Sequence, residues 1–191
     1  MDKFDLLIVG VGGQGVILAS DIIGRAAVME GLPVMCAETH GMAQRGGAVE
    51  NHVRLGCKYG SLIPVGGADC LMSMEPLEAL RYARFLKPAG IAVINTDKIV
   101  PVTVNLGKVP YPELDVIIDT MKGLCSEVKA ENYTGLAKKA GAIQALNVVM
   151  IGAVSKYLPI KAETLKDVIA KSVPPKTIAV NLKAFELGRE A

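Results

Sequence analysis

Apolar residues along this chain fall into short unbroken runs bounded by glycine or proline, and into longer stretches where they recur every three or four positions. Phe4-Asp5-Leu6-Leu7-Ile8-Val9 is a run of the first kind and ends on glycine, as a central parallel strand does. Gly10-Val11-Gly12-Gly13-Gln14-Gly15 follows, and residues 16–29 then have helical character. Gly31 closes that helix and Pro33 begins the next strand, over residues 33–37. Strand, glycine turn, helix and strand in that order form a Rossmann-type unit, with Gly10, Gly12 and Gly15 in the Gly-x-Gly-x-x-Gly spacing.

Residues 48–55 alternate, with Val49, Asn51, Val53 and Leu55 set against Glu50, His52 and Arg54. That period of two predicts a strand with one wet face, at or near a sheet edge. Residues 59–64 read as a short strand or a turn, and residues 70–74 as a buried strand. Glu75-Pro76 opens a helix to about Lys87, since proline suits a first helical turn where its missing N–H costs nothing. Pro88-Ala89-Gly90 leads into a strand over residues 91–95. Residues 98–112 read as a loop with one short strand, followed by a helix from Pro112-Glu113 to about Leu124 and a last strand over 127–130. A helical zone over 136–157, interrupted near Gly141, sets Ile143, Leu146, Val149, Met150 and Val154 on one face. Helices over 162–171 and 175–188 finish the chain. The expected architecture is a single domain over residues 1–191, α/β in class, with three layers and a mostly parallel, Rossmann-like sheet carrying at least one antiparallel or edge strand.

One stretch breaks this regularity. Glu38-Thr39-His40-Gly41-Met42-Ala43-Gln44-Arg45-Gly46-Gly47 brings an acid, an imidazole, an amide, a guanidinium and three glycines together between two strands. Its glycines let another surface approach the backbone closely, and loops of this kind on a rigid scaffold carry function. The alternative is a polar connection whose glycines serve the turn alone.

Composition narrows the classes. The 191 residues suffice for one domain with a well-buried core. Hydrophobic residues make up 51% and aromatics only 4%, which favours aliphatic packing between helices and a buried sheet over a β-sandwich. The formal net charge is +2, with the basic residues scattered, so no footprint for nucleic acid or an anionic membrane is present. No run is apolar for long enough to span a bilayer, and the chain enters a strand directly after Asp2-Lys3, without a visible signal peptide. Cys36, Cys57, Cys70 and Cys125 lie apart, in or beside apolar runs, and read as reduced, buried small hydrophobes of a cytoplasmic protein.

Candidate chemistry centres on two places. The turn formed by Gly10, Gly12, Gly13, Gln14 and Gly15 sets backbone N–H groups and the positive end of a helix at one spot, a site for a phosphate or carboxylate. Tight strand-to-helix packing would explain the same glycines. A dinucleotide site also needs an acid at the end of the second strand to hold the ribose, and Glu38 lies near that place. Cys36, His40, His52 and Cys57 carry zinc-type donors, but not at finger spacing, so separate core and loop roles account for them and no metal site is assigned. The sequence contains no Gly-x-Ser-x-Gly elbow, no Gly-Lys-Ser/Thr phosphate loop and no ferredoxin-type cysteine run. Nor does it contain the Gly-Asp-Gly and paired asparagines of a thiamine diphosphate site. No catalytic residue is assigned; hard chemistry would belong to a cofactor held elsewhere.

Gly10-Val11-Gly12-Gly13-Gln14-Gly15-Val16, Thr39-His40-Gly41-Met42-Ala43-Gln44-Arg45-Gly46-Gly47, Glu75-Pro76-Leu77-Glu78-Ala79 and Asn147-x-x-Met150-x-Gly152 together resemble the gamma domain of 2-oxoacid ferredoxin oxidoreductases. The second motif is most similar to the version in the beta subunits of the indolepyruvate-type enzymes. The resemblance runs from about Phe4 to the last helix. It implies a partner alpha subunit bearing thiamine diphosphate, Mg and iron–sulfur clusters. It also implies oxidative decarboxylation of an aryl 2-oxo acid to an aryl-acetyl-CoA, with ferredoxin reduced through the complex, and coenzyme A possible at the shared site. Under it, Glu38, His40, Gln44 and Arg45 would make polar contacts at a partner or active-site rim, and Gly41, Gly46 and Gly47 would permit close approach. A salt bridge within the chain, to Glu38 or Glu50, is the other role open to Arg45. The competing functions are a free-standing NAD(P)-dependent Rossmann dehydrogenase and a non-catalytic assembly module.

Overall fold

In the computed structural model, residues 3–40, 47–100 and 110–191 are described. Six strands, β1 (Phe4–Val11), β2 (Val34–His40), β3 (Ala48–Leu55), β4 (Ala68–Ser73), β5 (Leu86–Asn95) and β6 (Glu127–Glu131), form one sheet in the order β2-β3-β1-β4-β5-β6. β1, β4, β5 and β6 pair in parallel. β3 runs antiparallel to both β1 and β2, so β2 points the same way as β1. The expected mostly parallel sheet forms, with β3 its single antiparallel member among the described residues. The Rossmann-type unit is altered at one point: β3 lies between β1 and β2, which a Rossmann unit would place side by side.

Among the described residues seven helices cover the two faces: α1 (Val16–Met29), α2 (Pro76–Tyr82), α3 (Leu114–Lys122), α4 (Tyr133–Ala140), α5 (Leu146–Val154), α6 (Ala162–Ser172) and α7 (Ile178–Glu190). Alternation along the strands divides the core. Leu6, Ile8, Cys70, Met72 and Val93 pack beneath α1, α5 and α7, while Leu7, Val9, Leu71, Ala92 and Ile94 pack beneath α2 and α3. α5 is buried at all nine positions, so it is a central helix rather than one with a single apolar face. It crosses α7 so closely that glycine is required at Gly152 and Gly188. Ile143, placed by periodicity on the buried face, lies in a 3-10 turn (Ile143–Ala145) before α5 and is 46% exposed. The predicted break near Gly141 is real, as Gly141 ends α4 with φ 127°.

Boundaries elsewhere shift for identifiable reasons. α2 stops at Tyr82 and a 3-10 turn follows, because β5 already starts at Leu86 and takes in the expected lead-in turn at Pro88–Gly90. Residues 59–64 form bends. The strand expected within 98–112 is absent among the described residues, and 101–109 lie outside them. Of the four cysteines only Cys70 is buried; Cys36 is exposed on β2, and Cys57 and Cys125 are half-buried, so the buried-hydrophobe reading holds for one of them. No helix among the described residues is long and apolar enough to cross a membrane.

Candidate functional site

The carboxyl ends of β1, β4, β5 and β6 meet along one edge of the sheet, where ligands collect in open α/β folds. The glycine turn lies here. Gln14 folds its side chain back into the turn: its Oε1 accepts from the Val11 N–H at 2.8 Å, and its Nε2 donates to the Met74 carbonyl at 2.7 Å. A Cβ on Gly10 would sit 2.7 Å from that Oε1, and a Cβ on Gly15 would sit 2.8 Å from Asn147 Nδ2. Gly12 N–H donates to the Gly47 carbonyl at 2.9 Å. Packing within the chain therefore accounts for glycine at positions 10 and 15, and much of the turn's backbone is already engaged. Gly13 differs, with φ 102° and nothing within 4 Å of its virtual Cβ. It opens onto a cavity of about 220 Å³ lined also by Gln14, Asp97, Thr134, Ile143 and Gln144. The first-turn N–H groups of α1 have no intrahelical acceptor and remain the turn's anion-binding capacity. Asp97, a carboxylate lining the same cavity, works against an anion placed in it.

The strand ends are tied by buried polar groups. Asn95, fully buried at the end of β5, donates to the Met74 carbonyl and to Thr134 Oγ1, both at 3.0 Å, and accepts from the Thr134 N–H at 3.2 Å. Met74 O thus receives both Gln14 and Asn95, joining β1, β4 and β5 to the first turn of α4. Glu75, 1% exposed, caps α2 by accepting from the Glu78 N–H and holds Ile99 N–H and the Tyr111 hydroxyl on its other oxygen, at 3.3 and 2.5 Å. Burial and this carboxylate raise the Tyr111 phenol above its ordinary range. Burial likewise raises Glu78, whose Oε1 meets Arg81 at 2.8 Å.

Of the second candidate stretch, residues 38–40 and 47 are described. β2 runs through His40, so Glu38, Thr39 and His40 belong to a strand. Gly41, Gln44, Arg45 and Gly46 lie outside the described residues. Gly47 brings the far end of the stretch to the glycine turn through its bond from Gly12. Glu38 points to the α1 face, where it lines a groove with Asp21, Arg25 and Cys36. With β3 intervening, β2 is two strand spacings from β1, about 10 Å. Glu38 is thus displaced from the ribose-holding position of a Rossmann site. Asn95, Thr134, Asn147 and Glu75 carry the edge network; Glu75 was signalled as a helix start, but the bonds that tie the elements together join residues far apart in sequence, which no spacing reveals. Asn147 was visible only as part of a motif without a role.

The polar side chains of β3 overturn the expected wet face. His52 is 2% and Arg54 8% exposed, covered by the 57–67 segment and by Phe85. His52 Nδ1 accepts from Ile63 N–H at 3.1 Å, and its ring meets Phe85 edge-on at 5.6 Å. Cys36 and His52 stand on adjacent strands but on opposite faces, so they do not converge on one metal. Burial pushes the His52 imidazole below 6.5, and Glu50, with its carboxylate 3.7 Å away, only partly offsets this. The unfolded chain therefore takes up the proton first on acidification. The stability His52 confers is complete above about 6.5 and is lost as pH falls through the lower folded value. His52→Asn keeps an acceptor for Ile63 and removes the titration. Denaturant unfolding across this range should show a smaller acid loss in the variant; equal slopes would mean the imidazole does not titrate there.

Fold and site define a doubly wound α/β domain with a polar edge along the ends of its parallel strands. The chain belongs to the pyruvate ferredoxin/flavodoxin oxidoreductase family, whose profile matches residues 5–191. It is 45% identical over 188 residues to the indolepyruvate oxidoreductase subunit IorB of Archaeoglobus fulgidus, covering 97% of this chain and 94% of that one. The gamma subunit of a keto/oxoacid ferredoxin oxidoreductase from Geobacter sulfurreducens superposes with a TM-score of 0.72 at 24% identity, over 98% of this chain and 96% of that one. The 2-oxoglutarate:ferredoxin oxidoreductase of Magnetococcus marinus, solved with 2-oxoglutarate, coenzyme A and succinyl-CoA bound, superposes with a TM-score of 0.73 at 22% identity. It contains the whole of this fold within 31% of its chain. The two structural likenesses speak for the fold.

Proposed function

We propose that this chain is the beta-type subunit of an arylpyruvate:ferredoxin oxidoreductase. Its partner alpha subunit would bear thiamine diphosphate, Mg and iron–sulfur clusters, which supply the decarboxylation and electron-transfer chemistry. This chain would complete the shared region that takes coenzyme A. The observation that carries the proposal is the 45% identity, over nearly the full length of both chains, to an indolepyruvate oxidoreductase subunit. The carboxyl edge supports a rim role, since the Gly10–Gly15 turn, the Gly13 cavity and Gly47 adjoin there. Gln14 fills part of the turn and Asp97 lines the cavity, so the residues fit a ligand's polar or apolar portion at Gly13 better than a pyrophosphate wrapped by the turn. Phosphate would fall to the α1 N-terminus or to Arg45, a bidentate partner for phosphate or carboxylate.

Arg45→Ala tests this in the assembled enzyme. Activity with an aryl 2-oxo acid and coenzyme A should fall by about tenfold or more, the equivalent of one charge-assisted pair or a little over. Thermal unfolding of the lone chain should stay nearly unchanged. A large drop in the melting temperature with little change in turnover would make Arg45 an internal structural residue.

A further inference from the structure

The cavity at Gly13 has an unbalanced lining. Of the residues around it, Asp97 alone carries a charge. It stands two residues beyond the end of β5, is exposed, and has neither an ion pair nor a hydrogen bond among the described residues. Lys98, the next residue, turns away from it and sets its Nζ 5.1 Å from the centre of the Tyr111 ring. Two of the neutral polar groups are engaged within the chain, Gln14 by Val11 and Met74, and Thr134 by Asn95. Gln144 has no hydrogen-bond partner among the described residues. Ile99 and Ile143 add bare aliphatic wall, being 40% and 46% exposed. The N-terminus of α1 brings about half a positive charge to the turn, which offsets at most half of the carboxylate. The volume of about 220 Å³ is below the about 300–1,000 Å³ of ordinary small-molecule sites.

We infer that this cavity seats a long basic side chain, arginine or lysine, supplied by the alpha subunit, with its head on Asp97 and its stem along Ile99 and Ile143. Three features of the lining select that occupant. A carboxylate with no cation beside it calls for positive charge, and an anionic ligand would meet its repulsion. The aliphatic wall suits the methylene stem of a basic residue, which packs on apolar surface while its head reaches a polar group. The volume suits one side chain rather than a whole coenzyme. Gln144 offers the head a second acceptor on the same wall. The inference rests on the rim reading above and deepens it, naming what the partner places at Gly13.

Association of the full-length chain with the proposed alpha subunit, measured by calorimetry at low and high salt, tests this. Asp97→Asn should weaken binding by about 10- to 100-fold, as loss of one member of an interfacial charge pair does. Asp97→Glu keeps the charge and should stay within about threefold of the natural chain. Asp97→Lys should abolish binding at micromolar concentration. Added salt should weaken the natural chain's binding more than that of Asp97→Asn, which lacks the pair. The lone chain should melt at the same temperature in every form, because Asp97 is exposed and holds no other residue. Asp97→Asn binding as tightly as the natural chain would overturn the inference and leave the rim reading standing. So would unchanged association with a raised KM for coenzyme A, which would give the cavity to the small molecule. No association of the natural chain would refute the rim reading and this inference with it.

Discussion

Gly152→Ala and Gly188→Ala are each expected to destabilise the chain by about 2–3 kcal/mol, with a fall in melting temperature of about 5–10 °C. Alanine ordinarily strengthens a helix by up to about 1 kcal/mol relative to glycine. Here that gain is overwhelmed. A Cβ on Gly152 would lie 2.1 Å from the Phe185 carbonyl oxygen, and one on Gly188 would lie 1.9 Å from the Val149 carbonyl oxygen. Both obstacles are backbone, which cannot rotate away, so α5 and α7 would have to separate inside a packed core. Gly24, within α1, is the control. Its virtual Cβ meets Cys36 Sγ at 3.6 Å, an ordinary contact, and Gly24→Ala should raise stability by about 0.5–1 kcal/mol. Thermal denaturation of the three variants side by side checks this; a neutral Gly152→Ala would mean that the two helices do not cross as described.

Arg54→Met should cost about 3–5 kcal/mol, the range for stranding one member of a buried ion pair. Arg54 Nε donates to Asp5 Oδ1 at 3.0 Å across the β1–β3 pair, and Nη1 donates to the carbonyls of Gly60 and Leu62 at 2.7 and 3.1 Å. Asp5 is 1% exposed, and Lys3, 2.8 Å away, is its remaining cation. One guanidinium thus neutralises a buried carboxylate and pins the 57–67 segment over His52. Lysine cannot reproduce that fork of donors, so Arg54→Lys should recover little. The double variant Asp5→Leu/Arg54→Met removes both charges and should recover more than half of the loss, because replacing a buried pair by apolar groups is often neutral. Chemical denaturation of the single and double variants measures the coupling. A loss within about 1 kcal/mol for Arg54→Met would show the pair to be solvated.

The sequence carried the elements better than their neighbours. The helix over 16–29 and the strand over 48–55 have the bounds that the sequence pattern assigns, because glycines punctuate both. Periodicity is silent on which strand lies beside which, and the insertion of β3 between β1 and β2 depends on how the chain turns between them. That one difference moves Glu38 away from the glycine turn. Alternation in β3 implied solvent, whereas Glu50, His52 and Arg54 face a second protein layer that supplies their partners, a distinction polarity alone does not make. The glycine spacing correctly put the turn at the strand ends. That Gln14 would fill it follows from the Met74 carbonyl, 60 residues on, which no local pattern reveals. Asn147 and Gly152 were recognisable as a motif, and their contacts with Gly15 and with α7 give them a physical reason.

Reconstitution decides most directly whether this chain is one part of a divided enzyme. Purified separately and then mixed with the proposed cofactor-bearing alpha subunit, it should support ferredoxin reduction by indolepyruvate and coenzyme A, with neither subunit alone giving appreciable turnover. Saturable NAD(H)- or NADP(H)-linked turnover by the isolated chain, or a partner fully active without it, would refute the assignment.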